Sequence, residues 1–154
     1  MRRKEKEIKE LSLIEEILRE APIGRVGVCT NGRPYVIPMN FAYDEGSIFL
    51  HSHREGKKMQ IISENPFVCF EVDEGQIKEG EKPCSYGFKY RSVIVEGTIS
   101  ILEVLEEKLE GLKLISDKYA PGKAKQLSLE GIGNYKDLIV LKIDISEVSG
   151  KNSI

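Results

Sequence analysis

Apolar residues at Ile8, Leu11, Ile14, Ile17 and Leu18 recur with the three-and-four spacing of one helical face, and that spacing predicts a helix from about residue 4 to residue 19. "APIG" stops it. The next stretch, "RVGVCTNGRPYVIPMNFAYDEGSIFLHS", divides into three β-rich runs at Asn31-Gly32 and Glu45-Gly46, the pattern of an antiparallel meander. Pro38 lies inside the second run; lacking an N–H, it belongs on an edge strand or at a bulge. A short helix is predicted from Gly56 to Asn65, closed by "NP". "FVCFEV" (67–72) reads as a buried strand, and "DEGQIKEGEKPCSYGF" as a long polar loop. Residues 89–103 form a long strand with a bend at Gly97, and 106–119 an amphipathic helix. An irregular, partly helical stretch and a last strand, "DLIVLKIDISEVSGK", complete the pattern.

The sum is a mainly β fold with α insertions: about six strands, mostly antiparallel, with three or so helices between them. Few parallel crossovers are available, which favours a closed or split barrel over a doubly wound sheet. We expect an N-terminal helix over residues 1–20, then one domain over 21–154, with no linker or repeat. Composition narrows this little further. The 154 residues are 40% hydrophobic and 31% charged, which is globular. Lys+Arg (23) and Asp+Glu (25) nearly cancel, so no global field draws the chain to nucleic acid or an anionic membrane, and any anion site must be local. No apolar run approaches the ~20 residues of a membrane span, and no signal-peptide core follows "MRRKEKEIKE", so a cytoplasmic location is expected. The three cysteines form no CxxC pair. Cys29 and Cys69, in apolar strands, are expected to be inert core residues, and Cys84, in the polar loop, the reactive thiol.

The candidate chemistry lies in "HSHREGKK" (51–58), where a strand turns into a helix. One reading is capping: Ser52-x-x-Glu55 matches a capping box. The other is an anion cradle, in which Ser52 offers a hydroxyl, the helix start offers free N–H groups and a positive dipole end, Gly56 permits close approach, and Lys57 and Lys58 supply charge. The two are compatible. Neither GxxxxGK[ST] nor a strand-following GxGxxG occurs. His51 and His53 share a strand face but have no third metal ligand nearby in sequence; His51 suits a place beside a ligand ring or a structural role at a barrel mouth. "PYVIPMNFAY" reads either as a plain bulged strand or as one whose freed backbone groups, with Asn40, face a flat heterocycle. "YRSVIVEG" places Arg91 and Ser92 on opposite faces of a strand.

Taken in order, "YVIPMNFAY", "HSHREGKK", "NPFVCFEVD" and "YRSVIVEG" resemble the pyridoxamine-phosphate-oxidase-like split barrels, and within them the nitroimidazole-resistance-type flavin-binding branch. The resemblance covers roughly residues 21 to 151. It implies a six-stranded antiparallel split barrel that forms a homodimer, with a flavin, usually FMN, in each cleft between subunits. Pro38, Met39, Asn40 and Phe41 would line the ring system. His51, Ser52, Gly56, Lys57 and Lys58 would receive the ribityl phosphate, and Arg91 and Ser92 would help complete the cleft. Members often carry a small residue or Pro where this chain has His53-Arg54, and the added charge suits a longer cofactor such as FAD. The implied activity is that of an oxidoreductase passing electrons from NAD(P)H to a small flat acceptor such as a nitroaromatic. The alternatives are a non-catalytic flavin-binding or storage protein, and haem binding through His51.

Overall fold

The computed structural model describes residues 4–82 and 85–153. A 3-10 turn (Lys4–Lys6) leads into β1 (Glu7–Ile8) and α1 (Leu11–Glu20); then follow β2 (Gly24–Thr30), β3 (Arg33–Met39), β4 (Phe41–Asp44), β5 (Ser47–His53) and α2 (Lys57–Glu64). The second half holds β6 (Phe67–Lys78), β7 (Gly87–Ile101), α3 (Leu105–Tyr119), α4 (Leu129–Gly133) and β8 (Leu138–Asn152). The described strands number eight, not six, and every pairing is antiparallel.

Two of the differences from the sequence pattern add strands. The first helix starts late because Glu7 and Ile8 leave the helical path to pair with Lys151 and Gly150 of β8. Gly150 makes this possible: a Cβ there would stand 3.0 Å from the Cβ of Ile8 and 3.1 Å from Ile14. The second β-rich run is broken at Asn40 into β3 and β4, which lie at opposite ends of the strand path β3-β2-β6-β7-β8-β5-β4. One residue cannot span a flat sheet of that width, so the sheet curls until its two ends meet at Asn40. This is the closure of a split barrel. Pro38 lies on the edge strand β3 in continuous register with Arg25, with no bulge.

The two hairpins form as their turns dictate. Asn31 (φ 49°) and Gly32 (φ 73°), and Glu45 (φ 40°) and Gly46 (φ 79°), are all left-handed, as the primed hairpin turns require. The bend at Gly97 is a register shift in which Ser146 of β8 is left over between paired neighbours; its hydroxyl donates to the Glu96 carbonyl at 2.9 Å. The expected loop after residue 73 begins and ends as ladder instead: Asp73–Lys78 pair with Gly87–Ser92. Cys84 lies outside the described residues.

Val26, Val28, Phe41, Ile48, Leu50, Phe70, Val72, Val93, Val95, Leu141 and Ile143 fill the barrel, closed by Ile14, Ile17 and Leu18 of α1 and by Met59, Ile61 and Ile62 of α2. A smaller cluster (Leu109, Leu112, Ile132, Val140) seats α3 and α4 on the outer side of β8. The burial expected of the cysteines is corrected: in β6 only Val68, Phe70 and Val72 face inward, so Cys69 is exposed and Cys29 only half-buried. No helix of the described residues is long and apolar enough to cross a membrane.

Candidate functional site

β5 alternates strictly. Ile48, Leu50 and Ser52 point into the barrel, while His51 and His53 are exposed on its outer side, opposite Val140 and Leu138 of β8. Ser52 is buried, and its hydroxyl donates to the carbonyl of His53 at 2.9 Å. It therefore does not cap α2, and the capping-box reading fails. The residue at the N-cap is Gly56, at φ 124° and ψ 169°, and no side chain caps the helix. That backbone conformation strains any residue with a Cβ, and the space where a Cβ would project is open. The helix thus begins with N–H groups that no side chain caps.

Charge surrounds this start. Lys58 is half-buried, and burial lowers its pKa; His51 also has a lowered pKa, first from burial and then from repulsion by Lys58. The ammonium of Lys57 stands 4.2 Å from the ring centre of Tyr35 on β3, a cation–π contact. His53 Nδ1 accepts the Glu55 amide at 3.2 Å, and Nε2 lies 3.9 Å from the Asp137 carboxylate. The far end of α2 is anchored by Asn65, whose amide donates to the Cys29 carbonyl and whose oxygen accepts the Phe67 N–H.

The crossover residues divide by exposure. Pro38 and Asn40 are exposed, whereas Met39 and Phe41 face the core. Phe41 is held from three sides. Phe70 packs edge-on at 4.9 Å, the Lys118 ammonium lies 3.5 Å from its ring centre, and its N–H donates to the Tyr119 hydroxyl at 3.0 Å. That hydroxyl donates onward to the Pro22 carbonyl at 3.0 Å, tying the crossover to the segment between α1 and β2.

Arg91 and Ser92 lie elsewhere. Arg91 turns inward to Glu16 (3.1 Å), Glu20 (3.5 Å) and Glu74, while Ser92 shares a shallow cavity of about 300 Å³ with Glu7, Ile94, Ser149 and Lys151. Along β8, His51 is opposite Val140 and Arg91 opposite Asn152, so the two lie at opposite ends of a strand whose extended length between those points is at most ~40 Å at ~3.3 Å per residue. A single chain does not bring these two groups together.

One part of the site went unread in the sequence. A cavity of about 720 Å³ is lined by His51, Ser52, His53 and the segment Asn134–Leu138. The segment reaches β5 because Leu138 pairs with His53 and the Arg54 N–H donates to the Asp137 carbonyl at 2.8 Å. Its only local signal is the polar "NYKD" placed just before a strand. Among the described residues, no group of three or more His, Cys, Asp or Glu is arranged to hold a metal ion.

A profile of the pyridoxamine 5'-phosphate oxidase family matches residues 11–152. A protein from Bacteroides thetaiotaomicron, provisionally named for 5-nitroimidazole antibiotic resistance, is similar at 30% identity and a TM-score of 0.80, over 94% of this chain and 85% of that one. The flavocytochrome Anf3 of Azotobacter vinelandii (21% identity, TM-score 0.86, 100% of this chain and 72% of that one) shares the fold. So does an FAD and heme binding protein of Mycobacterium smegmatis (18%, TM-score 0.85, 96% and 73%). No curated protein matches the chain.

Proposed function

The chain belongs to the pyridoxamine 5'-phosphate oxidase family, and from that premise we propose that it is a flavoprotein oxidoreductase whose flavin phosphate sits at the start of α2. The observation that carries this reading is the uncapped helix start at Gly56, with Lys57, Lys58 and His51 gathered round it. Free N–H groups, a dipole end and two ammonium groups together form an anion site without help from the chain's overall charge, which is −2. When bound, the flavin supplies hydride and electron transfer. The chain's own part is to hold and shield it. Lys57 and Lys58 neutralise the phosphate, while Asn40 and the backbone at Pro38 present hydrogen-bonding groups to the ring. Met39 and Phe41 keep that crossover rigid from behind.

In this reading the molecule acts as a homodimer. Ser92 serves the cleft of a second copy, because its own site lies at the other end of β8, while Arg91, held by Glu16, Glu20 and Glu74, fixes β7 to α1. Electrons pass from NAD(P)H to a small flat acceptor, a route that asks no proton transfer of a side chain. The exposed His51, held neutral at the cavity rim, favours a second reading in which it ligates haem.

The test is a titration of apo protein with FMN and riboflavin. A charge-assisted contact contributes about 1.5–3 kcal/mol, so Lys57→Gln with Lys58→Gln should weaken FMN binding by at least roughly ten- to a hundred-fold and leave riboflavin binding unchanged. Equal FMN affinity in parent and double variant removes the phosphate site. The absorbance spectrum of purified protein separates flavin from haem, and bleaching by NAD(P)H separates an oxidoreductase from a storage protein.

A further inference from the structure

We propose that Tyr119, the last residue of α3, is a positioning residue for the flavin: through the Phe41 N–H it aims the side-chain amide of Asn40 at the ring system. This rests on the flavin reading and extends it to a side chain 78 positions from the residue it holds.

Asn40 is the single residue between β3 and β4, and both of its neighbours are held. Before it, the pyrrolidine ring fixes φ at Pro38, and Met39 is buried. After it, Phe41 is wholly buried. Asn40 itself is exposed, and among the described residues its amide has no hydrogen-bond partner in the protein. Donors and an acceptor therefore stand unused on a backbone pinned from both sides, which is what a heterocycle edge needs.

Tyr119 sets the direction of that backbone. The peptide joining Asn40 to Phe41 is planar and trans, so the Phe41 N–H and the Asn40 carbonyl point to opposite sides of the chain. Because the N–H donates to the Tyr119 hydroxyl at 3.0 Å, the carbonyl is turned away from Tyr119. The hydroxyl donates its own proton to the Pro22 carbonyl, which leaves its lone pairs for Phe41. Among the described residues, this is the one side-chain hydrogen bond made to residues 38–41. Tyr119 is itself held in place. Leu109 and Leu112 seat α3, and the preceding residue, Lys118, lies over the Phe41 ring and donates to the Leu18 carbonyl at 3.4 Å. A polar group on such a frame loses little freedom when a ligand arrives.

The experiment titrates the apo forms of the parent, Tyr119→Phe, Asn40→Ala and the double variant with riboflavin and FMN, well below their melting temperatures. Losing one neutral hydrogen bond to the ring should weaken binding by roughly three- to tenfold in each single variant. Riboflavin and FMN should weaken alike, because the phosphate end is untouched. Since Tyr119 acts through Asn40, the double variant should be within about twofold of Asn40→Ala alone. A purely structural tie predicts otherwise: Tyr119→Phe would lower the melting temperature and leave both affinities unchanged, and that result overturns the proposal. So do single-variant effects that multiply in the double variant, or a loss confined to FMN. Asn40 is exposed, so Asn40→Ala keeps the fold whatever becomes of Tyr119→Phe, and an unchanged riboflavin affinity in it overturns the proposal by itself. Failure of both flavins to bind the parent overturns the flavin reading instead, and this inference with it.

Discussion

Replacing Tyr119 by Phe removes one oxygen from the junction that closes the barrel. The hydroxyl accepts the Phe41 N–H and donates to the Pro22 carbonyl, both at 3.0 Å. The two losses are unequal. Pro22 is exposed, so water replaces the donor to its carbonyl. Phe41 is wholly buried, and its N–H would be left without an acceptor. An unsatisfied buried donor costs about 1–3 kcal/mol, and the ring itself still fits. With ~2 kcal/mol as the centre of that range, the melting temperature of a chain this size should fall by about 4–8 °C. Urea denaturation of parent and variant gives the free energy directly, at an unchanged m-value. Tyr135→Phe, which removes an exposed hydroxyl, should stay within about 0.5 kcal/mol of the parent. A Tyr119→Phe loss below ~0.5 kcal/mol would show that the bond does not pin the crossover.

Lys118 gives a pH signature: burial lowers its pKa to about 8 from 10.5. Between those values the unfolded chain binds more protons than the folded one, so this group makes stability rise with pH from about 8 to 10.5, and that gain is lost as pH falls through 8. Lys118→Met should flatten the rise by roughly 1–2 kcal/mol, after allowance for solvent at this half-buried site; parallel pH profiles would refute the assignment. Gly97→Ala would place a Cβ 2.4 Å from the Asp144 carbonyl oxygen, so it should cost about 1–3 kcal/mol, measured by the same denaturation. With Cys84 replaced by Ser, maleimide should modify Cys69 before Cys29; because burial and then Glu96 and Glu71 raise the Cys69 pKa, its rate should climb steeply as pH rises from neutrality. Preferential labelling of Cys29 would contradict the outward setting of Cys69.

Features governed by local rules were legible in the sequence. The helical spacing of Ile14, Ile17 and Leu18 and the turns at Asn31-Gly32 and Glu45-Gly46 each depend on residues within a few positions of one another, and Gly97 marks the bend although the residue left over there is Ser146 of β8. "FVCFEV" reads as one apolar run, which would bury Cys69, but Val68, Phe70 and Val72 alternate with Phe67, Cys69 and Glu71 and only the first set faces the core. The ladder over residues 73–78 has no local signal: its polar, glycine-bearing residues pair with β7, and that partner, not local propensity, makes them a strand. The candidate site divides in the same way. The strand-to-helix turn at 51–58 is contiguous and could be read. The cavity wall at 134–138 joins it only through the pairing of β5 with β8, a contact between residues some ninety positions apart, which no local pattern encodes.

β8 is the last strand in sequence, yet it is paired with β7, β5 and β1, and the barrel is built on it. A ribosome delivers the strands in chain order, so β4 and β5 emerge with Phe41, Ile48 and Leu50 ready for burial and no partner on β5's other side. Until residues 138–152 have been made, that half of the molecule holds a sticky, unpaired edge. Closure therefore waits until β8 has been made, and a nascent chain stalled before it is the form of this protein most exposed to aggregation and most in need of a chaperone.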